Sequence, residues 1–446
     1  MKKSLITATL LVSALLNANA SANTDAAKTN YTSTQWEYYA AAEYAGGTGT
    51  EEDPYLIATA EQLMKLAVEI QNMAEDDNNW GYDYSTGKYW KQTADIVLNE
   101  DVLGKVSYAY GDASVVNNSG LKTFDGIGYY NNEYDYQAFA GVYDGNGHSI
   151  SGMYITKTTT SKGVFNRVWG GTIKNLVVKD SYINANANIG FIAGTIENGS
   201  VVMNCQSSGI IYCGGSYHAG IVGYTGNNGG EVCQVLNCVS DAYLWAKNNV
   251  GGIVGKGAYS SVINNCYYGG WLGAVYSNTA KFQYCGAICS ELGMAEATTQ
   301  DAEGNTICEN PSKVINSYWT DTLTVRHMSS MTVEAISSTT STYGVTENSN
   351  AVSLSEISSI VETLNSNAEN ISGACGWKVG TNGLPELDFS NISSGINNIA
   401  STANDNSNNV YNIQGTLIKK GVSSSNVLEG LDKGIYIING KKFVVR

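Results

Sequence analysis

The sequence predicts a mainly β protein: a parallel β-helix with a capping helix near its N-terminus and a small β module at its C-terminus. A short apolar run closed by glycines, followed by an Asn-Cys step, occurs three times between residues 189 and 270. These Asn-Cys steps are 33 and 28 residues apart, a period typical of solenoid repeats. The runs are short, β-branched and rich in glycine, which favours strands over helices.

The repeated asparagine has a physical role in such a fold. Parallel stacking places like residues above like, roughly 4.8 Å apart. At a coil corner, an Asn amide can bond the amide of the next coil and tolerate a left-handed backbone. The glycines that close each phrase are expected at corners that need a positive φ. The predicted ladder, which includes two weaker flanking copies, consists of Asn175, Asn204, Asn237, Asn265 and Asn316.

Residues 1–20 have the pattern of a secretory signal. Lys2 and Lys3 precede an apolar stretch, and Ala18-Asn19-Ala20 forms a small-residue cleavage site. No later apolar run approaches the 18 residues of a membrane helix. We therefore expect an exported protein without a membrane span in its mature form, either soluble or held at the surface. Residues 21–45 form a lead-in segment without an assigned structure.

Composition narrows the partners and the possible metal chemistry. A net charge of −15 argues against nucleic acid and anionic membranes as partners. Cys205, Cys238 and Cys266 occupy one position in successive coils, where stacked side chains point the same way, so buried thiols are favoured over disulfides. The sequence has no C-x-x-C motif and only 3 His. We therefore expect no metal site and no cofactor.

The β-helix is predicted to cover residues 46–390, with a capping helix at its N-terminal end and a second amphipathic helix after the last repeat. An open solenoid end exposes apolar interior, which must be covered. Thr59 with Gln62, and Ser353 with Glu356, have capping-box spacing. The predicted apolar faces are Leu63, Leu66, Ala67 and Ile70 in the first helix and Ile357, Ile360, Val361 and Leu364 in the second.

Shorter elements complete the chain. Residues 144–147, Asp-Gly-Asn-Gly, are interpreted as a tight turn, because a calcium loop needs further carboxylates. His148 is then a turn residue without a catalytic role. Residues 377–389 predict a final strand pair, and residues 391–409 an Asn- and Ser-rich linker. Residues 410–446 predict a small β module with an Asn439-Gly440 hairpin turn.

Two segments resemble known families. The phrases Gly220-Ile221-Val222-Gly223 and Gly252-Ile253-Val254-Gly255 resemble the GLUG motif of exported bacterial repeat proteins, and companion phrases at 47–57, 94–99, 143–150 and 173–176 match in order. This resemblance implies a right-handed parallel β-helix on secreted or surface proteins, including adhesins. Residues 411–415, 431–437 and 440–442 resemble the C-terminal sorting domain of type IX secretion in the Bacteroidetes. This resemblance implies contact with that secretion machinery and a location at the outer-membrane cell surface or outside the cell.

Parallel β-helices also carry polysaccharide lyases and glycoside hydrolases, which need clustered charges. Five residues after each ladder Asn stand Asp180, Gly209, Ala242, Gly270 and Asp321. The two carboxylates are four coil steps apart, roughly 19 Å, whereas glycosidase pairs lie within about 5 to 9.5 Å. Arg167 and Arg326 are isolated and are interpreted as surface salt-bridge residues. We expect no catalytic residues and no enzyme, with a polysaccharide-degrading enzyme as the alternative and a passive surface spacer as a further one.

Aromatic residues favour a binding function. Tyr129, Tyr130, Tyr134 and Tyr136 cluster in one segment, and flat aromatic rings stack on sugars. Rings that merely cover the sheets would give the same pattern. We therefore expect an adhesive surface protein whose ligand is a glycan or a host or other extracellular protein.

Overall fold

The structure is a computed structural model, and it divides after Asp388 into two compact units. The residues that it describes are 30–71, 84–109, 112–115, 120–128, 137–157, 159–226, 231–246, 249–274, 285–293, 298–300, 306–308, 310–327, 333–335, 344–392, 407–412, 417–423, 430–431, 433–438 and 441–445.

Three long sheets form the sides of a β-solenoid in the first unit. The first sheet has nine strands, all paired in parallel. Its inward column of Ile and Val side chains is completely buried. The strands are Tyr55–Ile57, Tyr89–Gln92, Val142–Asp144, Thr172–Lys174, Val201–Met203, Gln234–Leu236, Val262–Asn264, Lys313–Ile315 and Val345–Glu347.

The second sheet has 13 strands. They pair in parallel except for Val333–Ala335, which pairs antiparallel with its neighbour. Residues that alternate along each strand point inward and outward. In the central strands the inward residues are buried and mainly aliphatic, with Ser207, Ser240 and Tyr268 among them. The strands are Ile96–Val97, Ser149–Ser151, Tyr154–Thr156, Val177–Asn184, Gln206–Cys213, Val239–Ser240, Tyr243–Ala246, Tyr267–Tyr268, Trp271–Ala274, Tyr318–Thr320, Thr324–His327, Asn350–Val352 and the antiparallel Val333–Ala335.

The third side is narrower. Its five parallel strands are Phe165–Trp169, Ala193–Glu197, Val222–Gly226, Val254–Gly257 and Cys289–Leu292. A four-stranded sheet precedes it in each coil, with strands Ile189–Gly190, His218–Ala219, Val250–Gly251 and Cys285–Gly286. Together the sheets make about seven turns, so the predicted parallel β-helix is confirmed.

The repeated Gly-Ile-Val-Gly phrase forms the bend between these two narrow sheets. Ile221 N–H donates to the Ile253 carbonyl at 3.2 Å, and both side chains are completely buried. Ile253 therefore stacks on Ile221 as predicted, but it lies between two short strands and not inside one.

The expected role of the closing glycines was wrong. Gly194, Gly223 and Gly255 do not have a φ in the left-handed region. A Cβ on Gly255 would instead lie 2.3 Å from the Gly223 carbonyl oxygen, and one on Gly223 would lie 2.3 Å from the carbonyl carbon of Asn188. These positions need glycine because neighbouring backbones approach closely there.

Helix α1, Ala60–Gln71, follows the outermost strand of the first sheet. All four predicted apolar-face residues are completely buried in the main core. The Gln62 N–H donates to Thr59 Oγ1 at 3.3 Å, whereas Gln62 Oε1 accepts from Ala58 N–H at 2.8 Å and not from Thr59. Thr59 therefore caps the helix as predicted, and only the reciprocal bond of the Gln62 side chain is displaced by one residue, to Ala58.

Helix α2, Ile357–Ala368, begins after a short 3-10 turn at Leu354–Glu356, where Ser353 and Glu356 form the predicted capping box. The antiparallel pair Gly376–Val379 and Pro385–Asp388 follows, which confirms the predicted final strand pair. We call residues 353–388 the strap. Other short elements are the 3-10 helices Trp36–Tyr39, Leu103–Lys105 and Phe389–Asn391 and the hairpins Val106–Ala109 with Asp112–Val115 and Thr298–Gln300 with Thr306–Cys308.

The second unit contains a four-stranded antiparallel sheet, as predicted for the C-terminal module. Its strands are Ser407–Asn412, Leu417–Ser423, Gly434–Ile438 and Lys441–Val445. The first strand begins inside the segment that the sequence assigned to the linker. The Asn439-Gly440 turn lies outside the described residues.

Candidate ligand-binding groove

A ladder of asparagine amides runs along one corner of the solenoid. Each Nδ2 donates to the Oδ1 of the preceding coil: Asn204 to Asn175 at 2.8 Å, Asn237 to Asn204 at 2.8 Å and Asn265 to Asn237 at 2.7 Å. The five ladder asparagines have φ between 49° and 56°. Asn316 departs from the ladder, because its Nδ2 lies 3.5 Å from Asn264 Oδ1.

The strap covers this corner, a contact that sequence reasoning missed. The second Nδ2 proton of each central amide goes to a strap carbonyl: Asn204 to Gly373 at 2.9 Å, Asn237 to Cys375 at 3.0 Å and Asn265 to Leu364 at 3.0 Å. Buried amides need such partners, since an unpaired one is costly. The ladder therefore fixes the strap against the second sheet.

Aromatic side chains occupy the outer face of that sheet. Residues that pair in register on successive strands form a column on this face. One such column consists of Tyr154, Tyr182, Ile210, Tyr243 and Trp271. The Tyr243 and Trp271 rings stack with centroids 5.4 Å apart, and the Trp245 ring lies 4.6 Å from Trp271. Tyr243 is 41% exposed and Trp271 is half-buried. The inward neighbours of these rings are aliphatic, so the alternation along the strand presents the rings outward.

A groove of about 660 Å³ lies between these rings and the strap. This volume is in the range of small-molecule sites, roughly 300 to 1,000 Å³. Aromatic and hydroxyl or amide groups meet in it, which is the combination that sugar rings require. The lining residues are Asp241, Tyr243, Gly269, Gly270, Trp271, Thr320, Thr322, Leu323, Leu354, Asn382, Gly383 and Leu384.

Asp241 is the charged residue of the groove. Its Oδ2 accepts from Asn382 Nδ2 at 3.3 Å, while its Oδ1 is buried without a hydrogen-bond partner. Burial and the neighbouring Glu386 carboxylate raise the pKa of Asp241. Glu386 lines a small adjoining cavity and not the groove, and its Oε1 lies 3.2 Å from Lys378 Nζ. Asp241 thus retains an unused acceptor beside the groove.

The residues that the sequence singled out have varied positions. Tyr129, Tyr130, Tyr134 and Tyr136 lie outside the described residues. The prediction that Arg167 lies at the surface was wrong, because it is 1% exposed. Its Nε donates to Glu197 Oε2 at 2.7 Å, on the adjacent strand and two residues beyond Thr195, which faces Arg167 in the register. Asp180 accepts from the backbone N–H groups of Val102 and Leu103. The turn at residues 144–147 is as predicted, with Asn146 and Gly147 at positive φ.

The cysteine column is part of the core and not of a site. Cys205, Cys238 and Cys266 are completely buried, and each Sγ donates to the carbonyl two residues before it, at 3.2 to 3.4 Å. No disulfide joins these three residues. Among the described residues, no group of three or more His, Cys, Asp or Glu is placed to hold a metal ion. The described helices include none long and apolar enough to cross a membrane.

Comparisons with known proteins leave the family open. No protein-family model matches the chain. A 181-residue stretch, 40% of the chain, is 27% identical to halomucin from Haloquadratum walsbyi, and it spans only 2% of that protein. The crystal structure of a candidate immunoglobulin A1 protease from Bacteroides ovatus has a TM-score of 0.49 at 20% identity, covering 78% of this chain and 96% of that one. The resemblances to GLUG repeats and to a sorting domain stay predictions.

Proposed function

We propose that this chain is a non-catalytic, adhesive β-helix that binds a glycan at a cell surface or outside the cell. The observation that carries this proposal is the groove between the strap and the exposed ring stack of Tyr243 and Trp271. Aromatic faces contribute apolar contact to a sugar ring, and Thr322 and Asn382 offer hydrogen bonds to its hydroxyls. Each contact is modest, so useful adhesion depends on many copies of the protein on one surface.

The secretory-signal pattern of residues 1–20 supports the proposed location. The acidic chain, with a net charge of −15, disfavours attachment through polyanions. The tyrosine segment at residues 129–136 remains a second predicted contact. The proposed partner class is a glycan, with a host or other extracellular protein as the competing partner.

Binding of the purified protein to an array of immobilised glycans tests the proposal. Trp271→Ala and Tyr243→Ala should each reduce binding at least tenfold, because they remove the stacking surface. Tyr39→Ala is the matched control, since Tyr39 is also exposed, at 37%, but does not line the groove. Thermal unfolding of each variant verifies folding. Folded variants with unchanged binding, or a wild type that binds no glycan, would contradict the proposed function.

A polysaccharide-degrading enzyme is the second candidate, and the proximity of Asp241 and Glu386 is the observation that favours it. Glycosidases use two carboxylates on either side of the scissile bond. The position of Glu386 outside the groove, beside Lys378, favours binding over cleavage. Release of reducing ends from a bound polysaccharide, abolished by Asp241→Asn, would replace the adhesive proposal with the enzymatic one.

A further inference from the structure

The charge of the groove restricts which glycans it can accept. Asp241 and Tyr243 both line the groove, and Ala242 between them is buried. None of the described residues that line the groove is Lys, Arg or His. The cation Lys378 is engaged with Glu386, outside the groove. A negative ligand would meet an uncompensated carboxylate there.

The same groups attract a positive ligand. Asp241 Oδ1 has no hydrogen-bond partner, and a buried carboxylate oxygen gains most from a charged donor. The faces of Trp and Tyr rings carry negative electrostatic potential and attract ammonium groups. Trp271 and Tyr243 therefore combine with Asp241 to favour an ammonium over a neutral donor.

We propose that the groove selects glycans with free amino groups, namely polymers of hexosamine that is not N-acetylated. This inference rests on the proposed function and specifies its ligand. The Asp241 carboxylate accepts from the sugar ammonium, while Trp271 and Tyr243 carry the face of a pyranose ring. Asn382 and Thr322 bind neighbouring hydroxyls. A lysine-rich peptide would also supply ammonium groups, but its lysine side chains carry no hydroxyl groups for Asn382 and Thr322 to bind.

Isothermal titration calorimetry at about pH 6.5, where a large fraction of the sugar amines is protonated, tests the inference with four probes. These are a glucosamine hexamer, an N-acetylglucosamine hexamer, a galacturonate hexamer and a deca-lysine peptide. We expect the glucosamine hexamer to bind at least tenfold more tightly than its acetylated form, and the galacturonate hexamer not to bind. Asp241→Asn should remove this preference and leave the acetylated hexamer nearly unaffected, whereas Trp271→Ala should weaken both.

Asp321→Asn is the matched control, because Asp321 is an exposed acid in the turn after the strand Tyr318–Thr320 and does not line the groove. It should leave all affinities unchanged. Equal affinity for the two glucosamine hexamers would overturn the amine inference and leave glycan binding intact. Tighter binding of the lysine peptide, with the same dependence on Asp241, would overturn the sugar assignment. If no glycan of the wider array binds in a manner that depends on Trp271, the proposed function itself fails.

Discussion

The indole Nε1 of Trp377 donates to Asn237 Oδ1 at 2.6 Å, although the two residues are 140 positions apart. The same oxygen accepts from Asn265 Nδ2 at 2.7 Å, so the amide of Asn237 joins the solenoid ladder to the strap. The strap in turn supplies Asn382 and Leu384 to the candidate groove. The ladder therefore positions one wall of the groove as well as holding the coils together.

Asn237→Ala should lower the free energy of unfolding of the first unit by about 3 kcal/mol. It leaves several buried polar groups unpaired and places alanine at a φ of 53°. Asn237→Gly, which tolerates this φ, should cost about 1 kcal/mol less. Urea denaturation followed by circular dichroism measures both. Asn316→Ala is the control for the backbone cost, since Asn316 has a similar φ but its side-chain amide makes one long contact, 3.5 Å, with the residues that the structure describes. If Asn237→Ala and Asn316→Ala lower the free energy of unfolding equally, the hydrogen bonds of the ladder contribute nothing to stability.

Ile253→Asp should reduce the free energy of unfolding by about 4 kcal/mol or more, because it buries a carboxylate among aliphatic neighbours. Ile253 is completely buried in the bend that stacks on Ile221. Val97→Asp places the same charge at a site that is 45% exposed and should change stability by less than about 0.5 kcal/mol. Comparable denaturation midpoints for the two variants would argue against the inward orientation of Ile253.

His218 should make the protein sensitive to acid. Burial lowers the pKa of His218 from 6.5 to about 4. The unfolded chain therefore binds a proton that the folded chain does not, and stability present above pH 6.5 is lost as the pH falls toward 4. The loss is about 3 kcal/mol. His218→Val should remove it, because Ile189 and Val250 occupy the equivalent positions of the adjacent coils. Denaturation midpoints that fall equally for both proteins between pH 6.5 and 4.5 would assign the acid sensitivity to other groups.

Glu37 should act in the opposite direction. Burial, together with the charge of Asp125, raises the pKa of Glu37 from 4.5 to about 8, and the neighbouring Lys162 opposes this only in part. Its contribution to stability is full below pH 4.5 and is lost as the pH rises through 8, which amounts to about 3 kcal/mol between pH 5 and 7.5. Glu37→Gln preserves an acceptor for the Asp125 N–H, which now donates to Oε1 at 2.6 Å. We expect the variant to gain stability over the wild type as the pH rises, and parallel pH profiles would refute this.

Deletion of residues 410–446 should separate sorting from folding. If this segment is a sorting domain, its loss abolishes display on the cell surface. The thermal unfolding of the first unit should stay unchanged, because that unit ends at Asp388. Flow cytometry of cells with labelled protein, together with calorimetry of the purified chain, measures the two effects. Continued display after the deletion would exclude the sorting role.

Local patterns were sufficient to predict much of the fold. The repeat period predicted the stacked coils, and the Ser353 and Glu356 spacing predicted the cap that the structure contains. The positive φ of the ladder asparagines followed from the residue type. These features depend on neighbours in sequence or on one neighbouring coil, so a single chain carries their signal.

Only the tertiary structure decided where distant segments meet. No sequence period connects Trp377 to Asn237 or Asn382 to Asp241, because these contacts depend on how the strap packs against the sheet. The repeated glycines illustrate the same limit. The sequence predicted a positive φ at these positions, whereas glycine is needed at Gly223 and Gly255 because neighbouring backbones approach closely there. The sequence by itself thus determined the solenoid and its rungs, whereas packing between segments far apart in the chain created the groove.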